Sequence, residues 1–79
     1  MMFGERLNQT RREKGISAQK MADSLNTGIR NYRRYESGER KPTLEGLVQI
    51  ADVLDVSTDY LLGRDAFLER QRAAAGKAD

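Results

Sequence analysis

Apolar residues recur at helical spacing along most of the chain, with turn-forming residues between the segments. Phe3 and Leu7 lie four positions apart and Arg11 continues their stripe, which predicts a first helix over residues 3–14. An arginine on a core-facing stripe needs a carboxylate partner, because a lone buried charge is very costly. Helix four is predicted to follow its N-cap, Thr43. Its apolar stripe consists of Leu44, Leu47, Ile50, Ala51 and Leu54.

Residues 17–38 predict two short helices joined by a tight turn. Ser17 can cap the first helix by accepting a hydrogen bond from an orphan backbone N–H. Asn26 is among the few residues that tolerate the left-handed backbone of such a turn. The two helices are predicted over residues 18–25 and 28–37. This arrangement is typical of a helix-turn-helix, whose second helix is offered to the DNA major groove.

The second of these helices, helix three, has an inner tyrosine face and an outer arginine face. Tyr32 and Tyr35 define the inner side. The outer side then carries Arg30, Arg34 and Ser37, with Arg33 on its shoulder and Ile29 at its edge. An arginine pair at i, i+4 can reach guanine edges or phosphates. An ordinary solvated face would show the same pattern, but three arginines within five residues of this helix favour DNA contact.

A short fifth helix is predicted to close the fold. Ser57 can cap it and Gly63 can end it. The residues expected to complete the core are Val53, Val56, Tyr60, Leu61 and Leu62. Because no segment has the alternation of a strand, residues 1–63 are predicted to form one all-α domain of five helices.

The remaining residues, 64–79, are predicted to be a tail that is helical in its first half. Its apolar stripe is short, with Phe67 and Leu68 followed only by alanines. Such a helix is marginal alone. The tail could therefore dock on its own domain, pair with a second subunit or fray.

The composition argues against an enzyme and against a metal site. The chain of 79 residues contains no cysteine and no histidine, which removes thiolate ligands, disulfides and the commonest general base. It also lacks the glycine-rich loop that cradles nucleotide phosphates. No apolar run approaches the roughly 18 residues that span a bilayer. These observations predict a cytoplasmic protein without cofactor, metal ion or membrane partner.

Charge is unevenly distributed along the chain. Residues 1–41 include ten basic and five acidic side chains, whereas residues 42–79 include four basic and seven acidic ones. The basic half carries the helix-turn-helix segment. A polarised small domain of this kind suits a polyanion on one side, although a solvated surface with chance asymmetry would explain the charge equally well.

Several separated motifs resemble the Cro/C1-type helix-turn-helix family, the XRE-like repressors of phages and bacteria. They are R-x-x-K-G-I-S at 11–17, M-A-x-x-L at 21–25, Y-R-R-Y-E-S-G at 32–38, R-K-P-T-L at 40–44 and L-D-V-S-T-D-Y-L-L-G at 54–63. The resemblance implies a compact five-helix bundle of the lambda-repressor type. It further implies a homodimer that binds an inverted-repeat operator in double-stranded DNA, and a role in repressing transcription.

The resemblance also implies roles for individual residues. The base-contacting positions fall on Gly28, Ile29, Arg30 and Arg34. Together with the outer face of helix three, it places phosphate contacts on Ser17, Gln19, Arg33, Ser37, Arg40 and Lys41. A structural ion pair falls on Arg11 and Glu36. Ala18 stands where most members have a phosphate-binding glutamine, and Gln19 is the candidate to replace it.

A second function remains open at this point. The chain could be an antitoxin-like protein-interaction module in which DNA binding serves only autoregulation. The tail from Asp65 would then bind the partner protein. Salt-dependent retention on DNA, with and without residues 64–79, distinguishes the two hypotheses.

Overall fold

The computed structural model describes residues 2–64, and this part of the chain contains five α-helices and no strand. The helices are α1 (Phe3–Glu13), α2 (Ala18–Ser24), α3 (Ile29–Ser37), α4 (Leu44–Leu54) and α5 (Thr58–Leu61). The expected all-α fold with five helices is confirmed. The predicted tail helix and its roles in dimerisation or partner binding lie outside the described residues. None of the described helices is long and apolar enough to cross a membrane.

Three helices begin at the capping residues that the sequence predicts. Ser17, Thr43 and Ser57 each accept a hydrogen bond at Oγ or Oγ1 from the backbone N–H three residues later. This bond satisfies one of the donors that a helix N-terminus leaves without a partner. Two turns use left-handed backbone as expected, at Asn26 with φ of 54° and at Gly38 with φ of 86°.

The helix ends differ slightly from the prediction. Lys14 and Leu25 are C-caps rather than helical residues, so α1 and α2 are each one residue shorter. Gly28 is the N-cap of α3 and has extended backbone, so that helix begins at Ile29. Asp55 ends α4 in the left-handed conformation, with φ of 56°, which the sequence pattern did not predict. Helix ends commonly fray or tighten by a residue.

One small core holds the five helices together. Its fully buried side chains are Leu7, Met21, Ala22, Tyr32, Ile50, Ala51, Leu54 and Leu61. Because these side chains come from all five helices, detaching any one helix would expose apolar surface to water. Such exposure costs about 25 cal/mol of free energy per Å². α3, the helix that carries the arginines, packs against both α1 and α2.

Close approach of α1 and α3 depends on Gly4. A Cβ added at Gly4 would overlap the backbone carbonyl oxygen of Glu36 and lie 2.9 Å from that of Tyr35. Backbone atoms cannot rotate away as a flexible side chain can. The first turn of α1 therefore lies directly against the last turn of α3 because position 4 has no side chain.

Two residues expected to complete the core lie elsewhere. Leu62 is 45% exposed, whereas its neighbour Leu61 is fully buried. Tyr60 is half-buried and lies beneath the Arg6 guanidinium, which is 4.5 Å from the centre of the tyrosine ring. The prediction that Leu62 closes the core was therefore wrong, and Tyr60 contributes through a cation–π contact between α5 and α1.

Candidate nucleic-acid interface

The outer face of α3 forms a shallow concave surface of about 420 Å³, here called the arginine strip. Its lining residues are Ile29, Arg30, Arg33, Arg34, Ser37 and Glu39. The three arginines are exposed to solvent, so their guanidinium groups are free to meet a ligand. The structure thus brings together five of the site residues selected from sequence, on a surface with three positive charges and one negative charge.

Glu39 is the member of the arginine strip that the sequence pattern did not predict. It follows the left-handed Gly38, and its backbone N–H donates to the Ser37 hydroxyl at 3.4 Å. Glu39 therefore lies at the end of α3 and lines the same surface as the arginines. Helical periodicity could not reveal this, because the residue lies beyond the helix end, where the direction of a side chain depends on the turn.

Ser37 has a local structural role at the end of α3. Its hydroxyl donates to the Arg34 carbonyl oxygen at 3.1 Å and accepts from the Glu39 N–H. A serine hydroxyl has only one proton to donate. In this conformation that proton is directed to the helix end rather than to an external phosphate.

The other candidate contact residues lie outside the arginine strip. Ser17 and Gln19 are exposed at the start of α2, where Gln19 donates to Asp23 Oδ1 at 3.0 Å. Arg40 and Lys41 are exposed and border a groove between the start of α1 and the end of α3. Gly28 precedes the first turn of α3 and has open space around its Cα, so a ligand can approach the backbone there.

An ion pair between α1 and α3 fixes the orientation of the arginine strip. Arg11 Nε lies 2.6 Å from Glu36 Oε2, and the two side chains are only 14% and 12% exposed. Asn8 Nδ2 donates to Glu36 Oε1 at 2.7 Å, and Arg11 also donates to the Ile16 carbonyl oxygen at 2.8 Å. One carboxylate therefore joins the end of α3 to α1, and its arginine partner continues the network to the segment before α2.

The network shifts the pKa of each of its ionisable groups. Burial by itself raises the pKa of Glu36, but the hydrogen bonds from Arg11 and Asn8, together with the nearby Tyr32 hydroxyl, outweigh it, and the pKa falls below the ordinary 4.5. The Glu36 hydrogen bond raises the pKa of Arg11. Burial, followed by the effect of Glu36, raises the pKa of Tyr32. The ion pair is therefore fully charged at neutral pH.

Tyr32 and Tyr35 lie on the inner side of α3, as predicted. Tyr32 is fully buried, and its ring meets that of Tyr35 edge-to-face, with centroids 6.3 Å apart and planes at 86°. The Tyr32 hydroxyl is near Glu36 but forms no well-aligned hydrogen bond within residues 2–64. These tyrosines anchor α3 in the core, so that its opposite face is the one directed outwards.

The described residues around the arginine strip form no metal centre. Within the described part of the chain, no group of three histidine, cysteine, aspartate or glutamate side chains could hold a metal ion. The chemistry of the arginine strip is instead that of guanidinium groups, which pair with phosphate oxygens and with the acceptor edge of guanine.

Comparison with known proteins assigns this arrangement to a family. The family model described as helix-turn-helix matches residues 7–61, which include all five helices in whole or in part. The chain belongs to the Cro/C1-type helix-turn-helix family. This is a class of DNA-binding proteins that are not enzymes, and the membership confirms the resemblance, the fold class and the non-enzymatic assignment.

Individual helix-turn-helix relatives support the same assignment. The chain is 48% identical over 61 residues to the SPbeta prophage-derived HTH-type transcriptional regulator YonR of Bacillus subtilis, covering 77% of this chain and 56% of that protein. It is 44% identical over 71 residues to the cryptic phage CTXphi transcriptional repressor RstR of Vibrio cholerae, covering 90% and 63%. The chain thus spans less than two thirds of the length of these relatives.

A solved structure extends the likeness to three dimensions. The crystal structure of a transcriptional regulator from Listeria innocua matches with a TM-score of 0.73 at 30% sequence identity, covering 95% of this chain and 76% of that one. The helix-turn-helix fold is therefore shared with this regulator.

Proposed function

We propose that this helix-turn-helix protein is a sequence-specific transcriptional regulator that inserts α3 into the major groove of double-stranded DNA. The observation that carries the proposal is the arginine strip, since it exposes three guanidinium groups on the second helix of a helix-turn-helix. The opposite face of that helix is fixed by the buried Tyr32 and the Glu36 ion pair. A rigid helix with an outward basic face suits readout of base edges.

The residues divide into two kinds of contact. We assign base contacts to Arg30 and Arg34, with Ile29 offering an apolar surface to a thymine methyl group and Gly28 admitting the backbone close to the DNA. We assign phosphate contacts to the surrounding exposed side chains. These are Ser17, Gln19, Arg33, Arg40 and Lys41, with Ser37 included only if its hydroxyl proton turns away from the Arg34 carbonyl oxygen.

A single copy of this domain reads too little DNA to find one site in a genome. Two copies related by a two-fold axis would double the readout, and their recognition helices would meet successive major grooves about 34 Å apart. We therefore propose that the protein acts as a homodimer on an inverted repeat. A dimer that occupies a promoter-proximal operator blocks access to the duplex, so repression is the proposed outcome. We further propose that the protein is bacterial or phage-encoded and acts in the cytoplasm, at the nucleoid when it is bound to DNA.

An exposed apolar face at the start of α4 and the end of α5 supports dimerisation. Leu44, Val48 and Leu62 are 80%, 46% and 45% exposed. Leu62 also lines a groove of about 270 Å³, together with Phe3, Lys41, Pro42 and Leu47. Leu44 and Val48 lie beside the core-facing side chains of α4 and extend its apolar face to the protein surface. A helix with so wide an apolar face usually packs against a second element besides its own core.

The acidic half of the sequence suggests a different pairing surface, made of the end of α4, α5 around Tyr60 and Leu61, and the tail with Phe67 and Leu68. Leu61 is fully buried in the core and cannot reach a second copy. We propose that Leu44 and Val48, in the first half of α4, form the dimer contact instead of Leu61. The proposed interface thus lies beside the loop that carries Arg40 and Lys41, which would bring the phosphate-contacting loops of two copies towards the centre of the operator.

Selection of bound duplexes from a random pool, followed by sedimentation of the protein with the enriched duplex, tests the proposed function. We expect an inverted repeat and two protein chains per duplex. Val48→Lys should weaken dimerisation, whereas Gln49→Lys on the polar side of α4 should not. Enrichment of no sequence would refute sequence-specific binding, and one chain per duplex at saturation would refute the dimer.

A further inference from the structure

The recognition helix begins without the side-chain cap found at the start of three other helices. Ser17, Thr43 and Ser57 cap α2, α4 and α5, whereas the N-cap of α3 is Gly28, which has no side chain to accept a bond. An uncapped first turn tends to fray. The first turn of α3 nevertheless holds Ile29 and Arg30, two of the residues assigned to base contact.

A hydrogen-bonded series of three side chains connects this first turn to the rest of α3. Asn31 Nδ2 donates to Thr27 Oγ1 at 3.0 Å and to the Tyr35 hydroxyl oxygen at 3.1 Å. All three side chains are partly buried. Tyr35 in turn packs edge-to-face on Tyr32, which is fully buried. The series therefore runs from the turn before α3, through Asn31, to the part of the helix that the core holds in place.

The Asn31 amide uses both hydrogens of its nitrogen in this series but leaves its oxygen without a partner among the described residues. That oxygen, Oδ1, is buried. A buried polar atom without a partner costs free energy, and an apolar side chain of similar shape would avoid that cost. An amide at this position instead provides two directed bonds, one towards each end of α3.

We propose that Asn31 is a positioning residue for DNA readout, which holds the first turn of α3 in the orientation that Ile29 and Arg30 need to reach bases. The inference rests on the proposed function, because it presupposes that α3 reads the major groove. Asn31 itself touches no base. It acts through its hydrogen bond to Thr27, in the turn before α3, and through its hydrogen bond to Tyr35, which packs against the buried Tyr32.

The test compares Thr27→Val, which removes the hydroxyl, with Thr27→Ser, which keeps it. These two variants and Asn31→Ala are each used to select duplexes from the random pool. The affinity of each variant is then measured by titration with the duplex that the parent protein enriches. We expect Thr27→Val and Asn31→Ala to lose roughly three- to tenfold in affinity, the loss expected for one or two hydrogen bonds. We also expect them to lose preference at the base pairs read from the start of α3, while the preference read by Arg34 persists and Thr27→Ser resembles the parent.

A merely structural role would predict different results. It would lower Tm and leave the preference of the folded protein unchanged at every position, and that outcome in Thr27→Val would overturn the proposal. Thr27→Val combined with Asn31→Ala should bind no more weakly than Asn31→Ala alone, because both remove one series of bonds. Additive losses would contradict the proposal. Failure of the parent to enrich any duplex would instead refute the proposed function, so the two failures are distinguishable.

Discussion

Replacement of Glu36 by glutamine removes the negative charge that joins α1 to α3 while keeping the size of the side chain. The carboxylate accepts from Arg11 Nε at 2.6 Å, from Arg11 Nη2 at 3.3 Å and from Asn8 Nδ2 at 2.7 Å. A glutamine keeps one acceptor oxygen and directs an N–H₂ group at another donor. The variant therefore leaves the Arg11 side chain, which is 14% exposed, without a counter-charge.

The expected cost follows from that burial. Removing one partner of a buried ion pair costs about 3–5 kcal/mol, and the lower value of about 3 kcal/mol applies because Arg11 keeps its bond to the Ile16 carbonyl oxygen. For a domain of this size, such a loss lowers Tm by roughly 12–24 °C. The matched control is Glu39→Gln, an exposed carboxylate three residues later, which should change stability by less than about 0.5 kcal/mol.

Thermal and urea unfolding across pH provide the assay. Because the pKa of Glu36 is lowered in the folded protein, its contribution is fully present above the ordinary glutamate pKa and is lost as pH falls through the folded value. The difference in unfolding free energy between parent and Glu36→Gln should therefore be largest near neutrality and shrink in acid. If Glu36→Gln melts within about 2 °C of the parent, or if the difference does not change with pH, the reasoning about this ion pair is wrong.

Three further variants test other parts of the structure. Gly4→Ala should lower the free energy of unfolding, measured in urea, by about 1–3 kcal/mol, because the added methyl group meets the backbone of Glu36 and Tyr35. The control is Gly28→Ser, which adds a side chain in open space at an N-cap and should not destabilise the protein. Equal stability of the two variants would refute the close approach of α1 and α3. Arg40→Ala or Lys41→Ala should weaken binding to all duplexes alike and reduce the log–log salt slope by about one; an unchanged slope would show that this loop does not touch DNA. Glu39→Gln should tighten binding to all duplexes alike, because it removes the one negative charge of the arginine strip. Unchanged non-specific affinity would show that this carboxylate does not face the DNA.

Features that depend on neighbouring residues were predictable from the sequence. The caps at Ser17, Thr43 and Ser57 involve a backbone group only three residues away. The inward Tyr32 and outward Arg30 follow from the helical period once α3 is located. Local chemistry and periodicity therefore sufficed for the helices and for most of the arginine strip.

Features set by tertiary contact were not predictable in the same way. α5 has only four residues, so its sequence has too little periodicity to decide whether Leu61 or Leu62 is buried. The Tyr60 ring lies beneath Arg6, a contact that exists only once α1 and α5 have packed. Asn31 was overlooked although Thr27, Asn31 and Tyr35 lie four residues apart, the spacing at which helical side chains meet.

The most direct test of the central claim, that α3 reads DNA sequence through its outer arginines, is a paired duplex selection with the parent and Arg34→Ala. Arg12→Ala removes an exposed arginine on α1, outside the arginine strip, and serves as the control. We expect Arg34→Ala to lose preference at one base pair of each half-site, with a loss of about 1–3 kcal/mol for the parental duplex, while Arg12→Ala enriches the parental sequence. Enrichment of the unchanged parental sequence by Arg34→Ala, at parental affinity, would contradict the claim.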